Sequence, residues 1–325
     1  MLHKDILSPL GKVVKEVTQR PLEKYTFKNL QKISFPPSTI TLGHTLKDDD
    51  PDFVSQMFYF TFEGKKVSGL INVPTTPGTY PVLIMFRGFV DRGQFTTGEG
   101  TRRTAEEFAR NGFITLAPDF LGYGASDREA DDGFESRFQT YTTGLVLLAS
   151  VEKLQDGLNA SYSGKLKVDT TKVGVWGHSN GGHIALSVLA ISGKKYPTVL
   201  WNPVTKPFPY SILYFTDEYD DGGKALRKSL ANFEALYNTD FYDPSRYYDW
   251  IQASIQLHQA VDDEEVPLRW SDQFVEHMKS MDKDMSYFIY PGENHNFNNG
   301  SWPTIMQRSI EFLDSQFSHG GVISN

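Results

Sequence analysis

Lys172-Val-Gly-Val-Trp-Gly-His-Ser-Asn-Gly-Gly182 sets a serine between glycines directly after an apolar run. Val173, Val175 and Trp176 are the residue types of a short buried strand, and the apolar stretch 182–192 reads as a helix, so Ser179 falls on a strand-to-helix turn. A serine placed there, in the pattern Gly-x-Ser-x-Gly, has the context of a nucleophile. The neighbours fit that role. Ser179 must take a strained backbone conformation, Gly177 and Gly181 let strand and helix pass without an intervening Cβ, and the amide of Asn180 opens the helix beside the serine, where an oxyanion would form. Five loosely specified positions recur by chance in long chains, so the flanking strand and helix give the motif its weight.

Upstream, 53–62 and 66–73 are rich in β-branched and aromatic residues around Glu63-Gly64 and read as a hairpin. Val82-Leu-Ile-Met-Phe86 is an apolar run of buried-strand length that ends in Arg87-Gly88-Phe89. Helical spacing over 101–111 and a strand at 113–118 follow, leading into Asp119-Phe-Leu-Gly-Tyr-Gly124, and a long helix is expected over 133–158. Downstream, 198–201, 253–258 and 285–290 read as strands, and 270–281 and 303–317 as helices. Such alternation predicts an α/β fold, a mostly parallel sheet with helices on both faces and a site at the carboxyl ends of the strands. Residues 1–50, with a short amphipathic helix expected near 11–20, are assigned as an N-terminal extension to a domain over 51–325. Residues 204–250 interrupt the alternation with many aromatics and are expected to form a cap over the site; a surface excursion is the competing reading, because long insertions are thermodynamically cheap.

The 325-residue chain, 39% hydrophobic and 14% aromatic, suffices for one α/β domain with insertions. No run of about 18 apolar residues predicts a transmembrane segment. Met1-Leu-His-Lys-Asp-Ile-Leu-Ser-Pro-Leu10 is too broken by charge and proline for a signal peptide, so a cytoplasmic location is favoured, with export open to a chain whose leader has been removed. The lack of cysteine excludes disulfides, a thiolate nucleophile and thiolate-held metal. A net charge of −8 with scattered Lys and Arg argues against nucleic acid as a partner. No zincin, P-loop or dinucleotide fingerprint appears, so neither cofactor nor metal is expected, and the acidic runs 48–50 and 262–265 read as solvated loops. The oligomeric state is left open.

A serine hydroxyl is a poor nucleophile until a base takes its proton, so Ser179 needs a histidine and an acid to orient it, in the chain order serine, acid, histidine. His258, His277, His295 and His319 lie well beyond the elbow. His295 stands out, because Tyr290-Pro-Gly-Glu-Asn-His-Asn-Phe297 is a loop of turn residues directly after an expected strand. His277 falls mid-helix among charges, His319 in a polar tail and His258 on a strand end. The acid is expected after the preceding strand, where Asp262, Asp263, Glu264 and Glu265 offer four carboxylates among which spacing does not choose.

From about residue 53 onward the chain resembles the α/β-hydrolase superfamily, and within it the serine hydrolases that include the prolyl oligopeptidase catalytic domain and related small esterases. Gly177-His-Ser-Asn-Gly181, Asp119-Phe-Leu-Gly-Tyr-Gly124, Leu257-His-Gln-Ala-Val-Asp-Asp-Glu-Glu-Val-Pro267 and Gly292-Glu-Asn-His295 carry the resemblance. It implies an α/β-hydrolase fold and a catalytic aspartate three residues before Val266, at Asp263, with Asp262 as the alternative. It also implies an oxyanion hole from the amide of Asn180 and one in the loop after the third strand, which maps to Phe89. The usual His-Gly at that strand end is replaced by Arg87-Gly88. Since the donor is a backbone amide, Arg87 is expected to form an ion pair or meet an acidic substrate.

The combined expectation is a serine hydrolase in which His295 deprotonates Ser179, Asp263 holds the imidazole and an acyl-enzyme forms. Ester and peptide cleavage share this chemistry. Prolyl oligopeptidases carry a large propeller domain ahead of the catalytic domain, and the stretch before the hairpin is short here, so a carboxylic ester hydrolase is favoured. A peptidase acting on short peptides comes second and a non-catalytic binding protein third. Phe208, Tyr210 and Tyr214, with Arg87, are the candidate substrate contacts, suited to an aryl or feruloyl-type ester as the small-molecule partner.

Overall fold

The computed structural model describes residues 3–7, 13–17, 19–216 and 219–319. Strands β1 (His3–Leu7) and β2 (Val13–Val17) form a separate antiparallel pair. The helix expected near 11–20 is replaced, at its described residues, by a strand. Val-Val-Lys-Glu-Val carries three β-branched side chains in five, and so short a helix cannot hold itself. A 3-10 turn (Pro21–Tyr25) and α1 (Phe27–Leu30) lead to β3 (Thr41–Lys47), which pairs antiparallel with β4 (Phe53–Phe62). The division expected at residue 50 therefore falls inside one sheet, and Leu22, Tyr25, Phe27 and Leu30 are buried in its core.

β4 and β5 (Lys65–Pro74) form the hairpin expected from the sequence. Glu63 and Gly64 close it at positive φ, 48° and 75°, as a two-residue turn that matches strand twist requires. The chain continues through β6 (Gly78–Phe86), α2 (Arg102–Arg110), β7 (Ile114–Pro118), α3 (Gly133–Ser150), α4 (Leu154–Tyr162), β8 (Leu166–His178), α5 (Asn180–Ser192) and β9 (Thr198–Trp201). Then come α6 (Tyr210–Leu213), α7 (Lys224–Glu234), β10 (Ile255–Ala260), α8 (Leu268–Ser280), β11 (Met285–Tyr290) and α9 (Trp302–His319). The helix expected over 133–158 is broken at Ser150, whose Oγ donates to Val146 O (2.6 Å) and accepts from Ser38 N (2.8 Å). Back-bonded serines of this kind bend helices. β10 runs two residues later than expected, which puts His258 inside the strand.

The main sheet has nine strands in the order β11-β10-β9-β8-β6-β7-β5-β4-β3, parallel from β11 to β7 and antiparallel from there to β3. β7, β9 and β10 are buried at every residue because helices cover both faces: α3, α4, α5 and α8 on one, α2 and α9 on the other. β6 leads to β7 on one side while β8 lies on its other side. Crossovers thus diverge at the carboxyl ends of β6 and β8, the switch point where open α/β sheets form a crevice.

The segment between β9 and β10 leans on α3 through Phe208 and Phe233, which pack on Phe134 and Phe138. It is also tied to the N-terminal segment: Leu22 N donates to Tyr237 Oη (3.1 Å) and Tyr242 Oη donates to Leu22 O (3.2 Å). No helix among the described residues is long and apolar enough to cross a membrane.

Candidate active site

β8 ends at His178 and α5 begins at Asn180, leaving Ser179 alone at the corner with φ 56° and ψ −124°. A non-glycine residue in such a conformation stores on the order of 1–3 kcal/mol, which the surrounding packing must impose. The packing is close. A Cβ on Gly181 would stand 1.9 Å from Phe86 O, and one on Gly177 would stand 2.6 Å from Gly181 O, so β6, β8 and α5 meet only because these positions lack side chains. The loop after β6 closes from the other side, where a Cβ on Gly88 would come within 3.0 Å of Ser179 Cβ. Neither the amide of Asn180 nor that of Phe89 has a hydrogen-bond acceptor among the described residues, and both residues line the same cavity as Ser179.

The four carboxylates after β10 separate by partner. Asp263 receives His295 Nδ1–H on both oxygens, at 2.8 and 2.9 Å, and its Oδ1 is held by the amides of Glu265 (2.8 Å) and Val266 (2.7 Å). Asp262 instead accepts from Gly292 N at 2.9 Å, and Glu264 accepts from His295 N at 3.2 Å. Burial alone would raise the Glu293 carboxyl, but the amides of Ser301 and Asn299 donate to it and hold it below its usual range, pinning the turn that presents His295. His295 lines the cavity with Ser179; no hydrogen bond joins the two side chains in this structure, and such bonds commonly tighten only around substrate.

Two residues behind His295 carry no motif-level signal of their role. The carbonyl of His295 accepts from His178 Nε2–H (2.9 Å) and from Asn202 Nδ2 (2.8 Å), while Asn202 Oδ1 accepts from Ala260 N (2.7 Å). Asn202 sits at φ 42°, a conformation asparagine tolerates better than most residues, and thereby links the ends of β9 and β10 to the histidine loop. Burial, reinforced by the neighbouring His295, drives His178 down to about 3, so its ring stays neutral and donates from Nε2. His258 is buried between Tyr290 Oη and Gln256 Oε1.

The remaining candidates stand apart from the cavity. Arg87 is buried and donates to Gly88 O (2.9 Å) and Asp119 O (3.1 Å), with Tyr123 4.1 Å from its guanidinium. It makes no ion pair among the described residues. Phe208 is in the core against α3, and Tyr210 and Tyr214 gather on Trp270. The segment between β9 and β10 does reach the cavity, of about 1280 Å³, but with Ile212, Phe215, Tyr219 and Phe233. A four-residue helix gives too little periodicity to tell which of its faces turns inward.

The profile of the prolyl oligopeptidase family matches residues 104–320. S-formylglutathione hydrolase of Arabidopsis thaliana is 25% identical over 233 residues, 67% of this chain and 76% of that one. Among solved structures, the acetyl xylan esterase of Paenibacillus sp. R4 superposes with a TM-score of 0.60 at 16% identity, over 92% of this chain and 96% of its own. The acylaminoacyl peptidase of Pyrococcus horikoshii gives 0.56 at 17% identity, over 84% of this chain and 42% of its own.

Proposed function

This chain belongs to the prolyl oligopeptidase family and has the α/β-hydrolase fold, and from that premise we propose that it is a serine hydrolase cleaving carboxylic esters. Ser179 is the nucleophile, His295 its base and Asp263 the group that fixes the imidazole tautomer and stabilises its charged form. The amides of Asn180 and Phe89 receive the oxyanion. The acyl-enzyme forms when the alcohol leaves with the proton carried by His295, and water, activated by the same base, releases the acid. The observation that carries this reading is the Asp263–His295 pair opening onto the cavity that holds a strained serine whose flanking amide has no acceptor. Cleavage of short peptides is the second reading, favoured by the family's description; non-catalytic binding by the same fold is the third. The segment 204–250 acts as the cap, and its aromatic inner face suits an aryl ester such as a feruloyl ester.

Wild type and Ser179→Ala are compared on p-nitrophenyl esters of graded acyl length, methyl ferulate and peptide anilides, with fluorophosphonate labelling alongside. Ester turnover that falls by on the order of 10⁴-fold or more in the variant supports the proposal. Anilide turnover in place of ester turnover moves the assignment to a peptidase. Folded wild type that neither labels nor turns over any substrate refutes catalysis at Ser179.

A further inference from the structure

Behind the candidate oxyanion site lies a second cavity of about 230 Å³, between the loops after β6 and β7 and the flank of α3. It shares Phe89, Gly133, Arg137 and Asn180 with the main cavity. Its wall contains three arginines, Arg87, Arg92 and Arg137, and no aspartate or glutamate among the described residues. Arg92 is paired with Glu129 at 2.5 Å. Neither of the other two has a carboxylate within 4.0 Å among the described residues. Arg87 hydrogen-bonds Asp119 only through the backbone carbonyl of Asp119. Oδ2 of that carboxylate is engaged by Ser68 (2.6 Å) and Thr97 (2.8 Å), and its Oδ1 has no partner, so it offsets the charge of Arg87 in part and without direct contact, which leaves Arg137 as the guanidinium with the least compensation.

Unmet hydrogen-bonding capacity gathers around this hollow. Nε of Arg87, Nε and Nη2 of Arg137 and Oγ1 of Thr143 are all shielded from solvent without a partner, and the three residues border the same cavity. Nη1 of Arg137 makes one long contact, 3.5 Å, with Asn180 Oδ1. A folded protein rarely leaves a part-buried guanidinium uncompensated unless the compensating charge arrives with something it binds. The acidic residues nearest on α3 do not fill that role: Asp132 caps the helix through the amides of Phe134 and Glu135, and Glu135 pairs with Lys24.

We propose that this hollow is an anion subsite that receives a carboxylate carried by the substrate while the scissile carbonyl lies at Ser179, with Arg137 as the specificity-determining residue. The inference rests on the hydrolase reading and narrows it. The planar fork of a guanidinium matches a carboxylate with two parallel hydrogen bonds, which a hydroxyl or amide does not reproduce. The small volume admits a carboxylate on a short arm. Asn180 and Phe89, shared by both cavities, set that arm beside the reacting carbonyl.

The test pairs each anionic ester with its neutral carboxamide isostere. Hemi-esters of succinate and glutarate carry the charge on the acyl side, and carboxyphenyl acetates carry it on the leaving side, so the two sets identify which half of the substrate enters the hollow. Wild type should favour the carboxylate member of one set by about tenfold or more in kcat/KM, and Arg137→Gln should erase that preference. No preference in either set, or a preference that survives Arg137→Gln, overturns the proposal. A readout independent of turnover separates this inference from the hydrolase assignment. Succinate and glutarate, but not their diamides, should raise the melting temperature of wild type and not of Arg137→Gln. That result in a protein without esterase activity would keep the subsite and discard the catalytic reading; equal shifts with acids and diamides would discard the subsite.

Discussion

His178 Nε2–H donates to the backbone carbonyl of His295 at 2.9 Å, joining residues 117 positions apart, the first directly before the candidate nucleophile and the second the candidate base. Asn202 shares the same acceptor at 2.8 Å. Removing either donor frees one side of the histidine loop. His178→Phe and Asn202→Ala should each lower kcat by about tenfold to a hundredfold, since misplacement by about 1 Å has that effect. Because both act on one carbonyl, the double variant should lose less than the product of the single losses, as steady-state kinetics on the full cycle would read. Simple multiplicativity would show that the two act separately.

Adjacent carboxylates should behave oppositely. Asp263→Asn removes the charge beside the imidazole and favours the wrong tautomer, with an expected loss on the order of 10³–10⁴-fold in kcat. Asp262→Asn keeps an oxygen for the Gly292 amide and should stay within about tenfold of wild type. Comparable losses in both would mean that the acid is shared.

Gly88 tests the close approach of the β6 loop to the serine. A Cβ there would meet Ser179 Cβ at 3.0 Å, a contact tighter than ordinary packing, so Gly88→Ala should displace the hydroxyl and cut kcat by on the order of 10²-fold. Circular dichroism should show an intact fold. Gly181→Ala should instead fail to fold stably, because its Cβ would lie 1.9 Å from Phe86 O, backbone that cannot step aside.

Three buried imidazoles predict acid sensitivity of the fold, and burial holds that of His183 well below its usual range. Burial drives His178 and His258 down to about 3 in the folded protein, whereas an unfolded chain takes up these protons below about pH 6.5. The unfolded state therefore binds more protons between those values, and stability is lost as pH falls through that window, by about 1.4 kcal/mol per pH unit for each group. Urea unfolding between pH 4.5 and 7.5 should show a slope reduced by about one proton in His258→Gln. An identical slope in the variant would place the uptake elsewhere.

Much of the candidate site is legible in the sequence because its parts are local. The elbow needs only a strand, a serine between glycines and a helix within about twenty residues. His295 is marked by turn residues after a strand. Asp263 is not separable from Asp262 by residue type, since the distinction lies in which carboxylate the Glu265 and Val266 amides turn toward the imidazole. Asn202 is silent for a different reason: its role exists only where the ends of β9 and β10 meet the histidine loop. The same holds for the first fifty residues, where Leu22, Tyr25 and Phe27 look like scattered apolar positions until α3 and the segment after β9 pack on them. Phe208 is an aromatic in the expected region that the fold uses as core, while Phe215, from the same segment, lines the cavity.

The hydrogen bonds from Leu22 to Tyr237 and Tyr242 bear on how this protein can be re-engineered. Part of the cavity wall is sewn to a stretch more than two hundred residues earlier, so the segment between β9 and β10 is not a cassette that can be cut out and traded between relatives on its own. A chimera would have to bring the donor's opening thirty residues along with its insert. Shuffling libraries that respect that pairing should yield soluble protein, and those that split it should yield inclusion bodies.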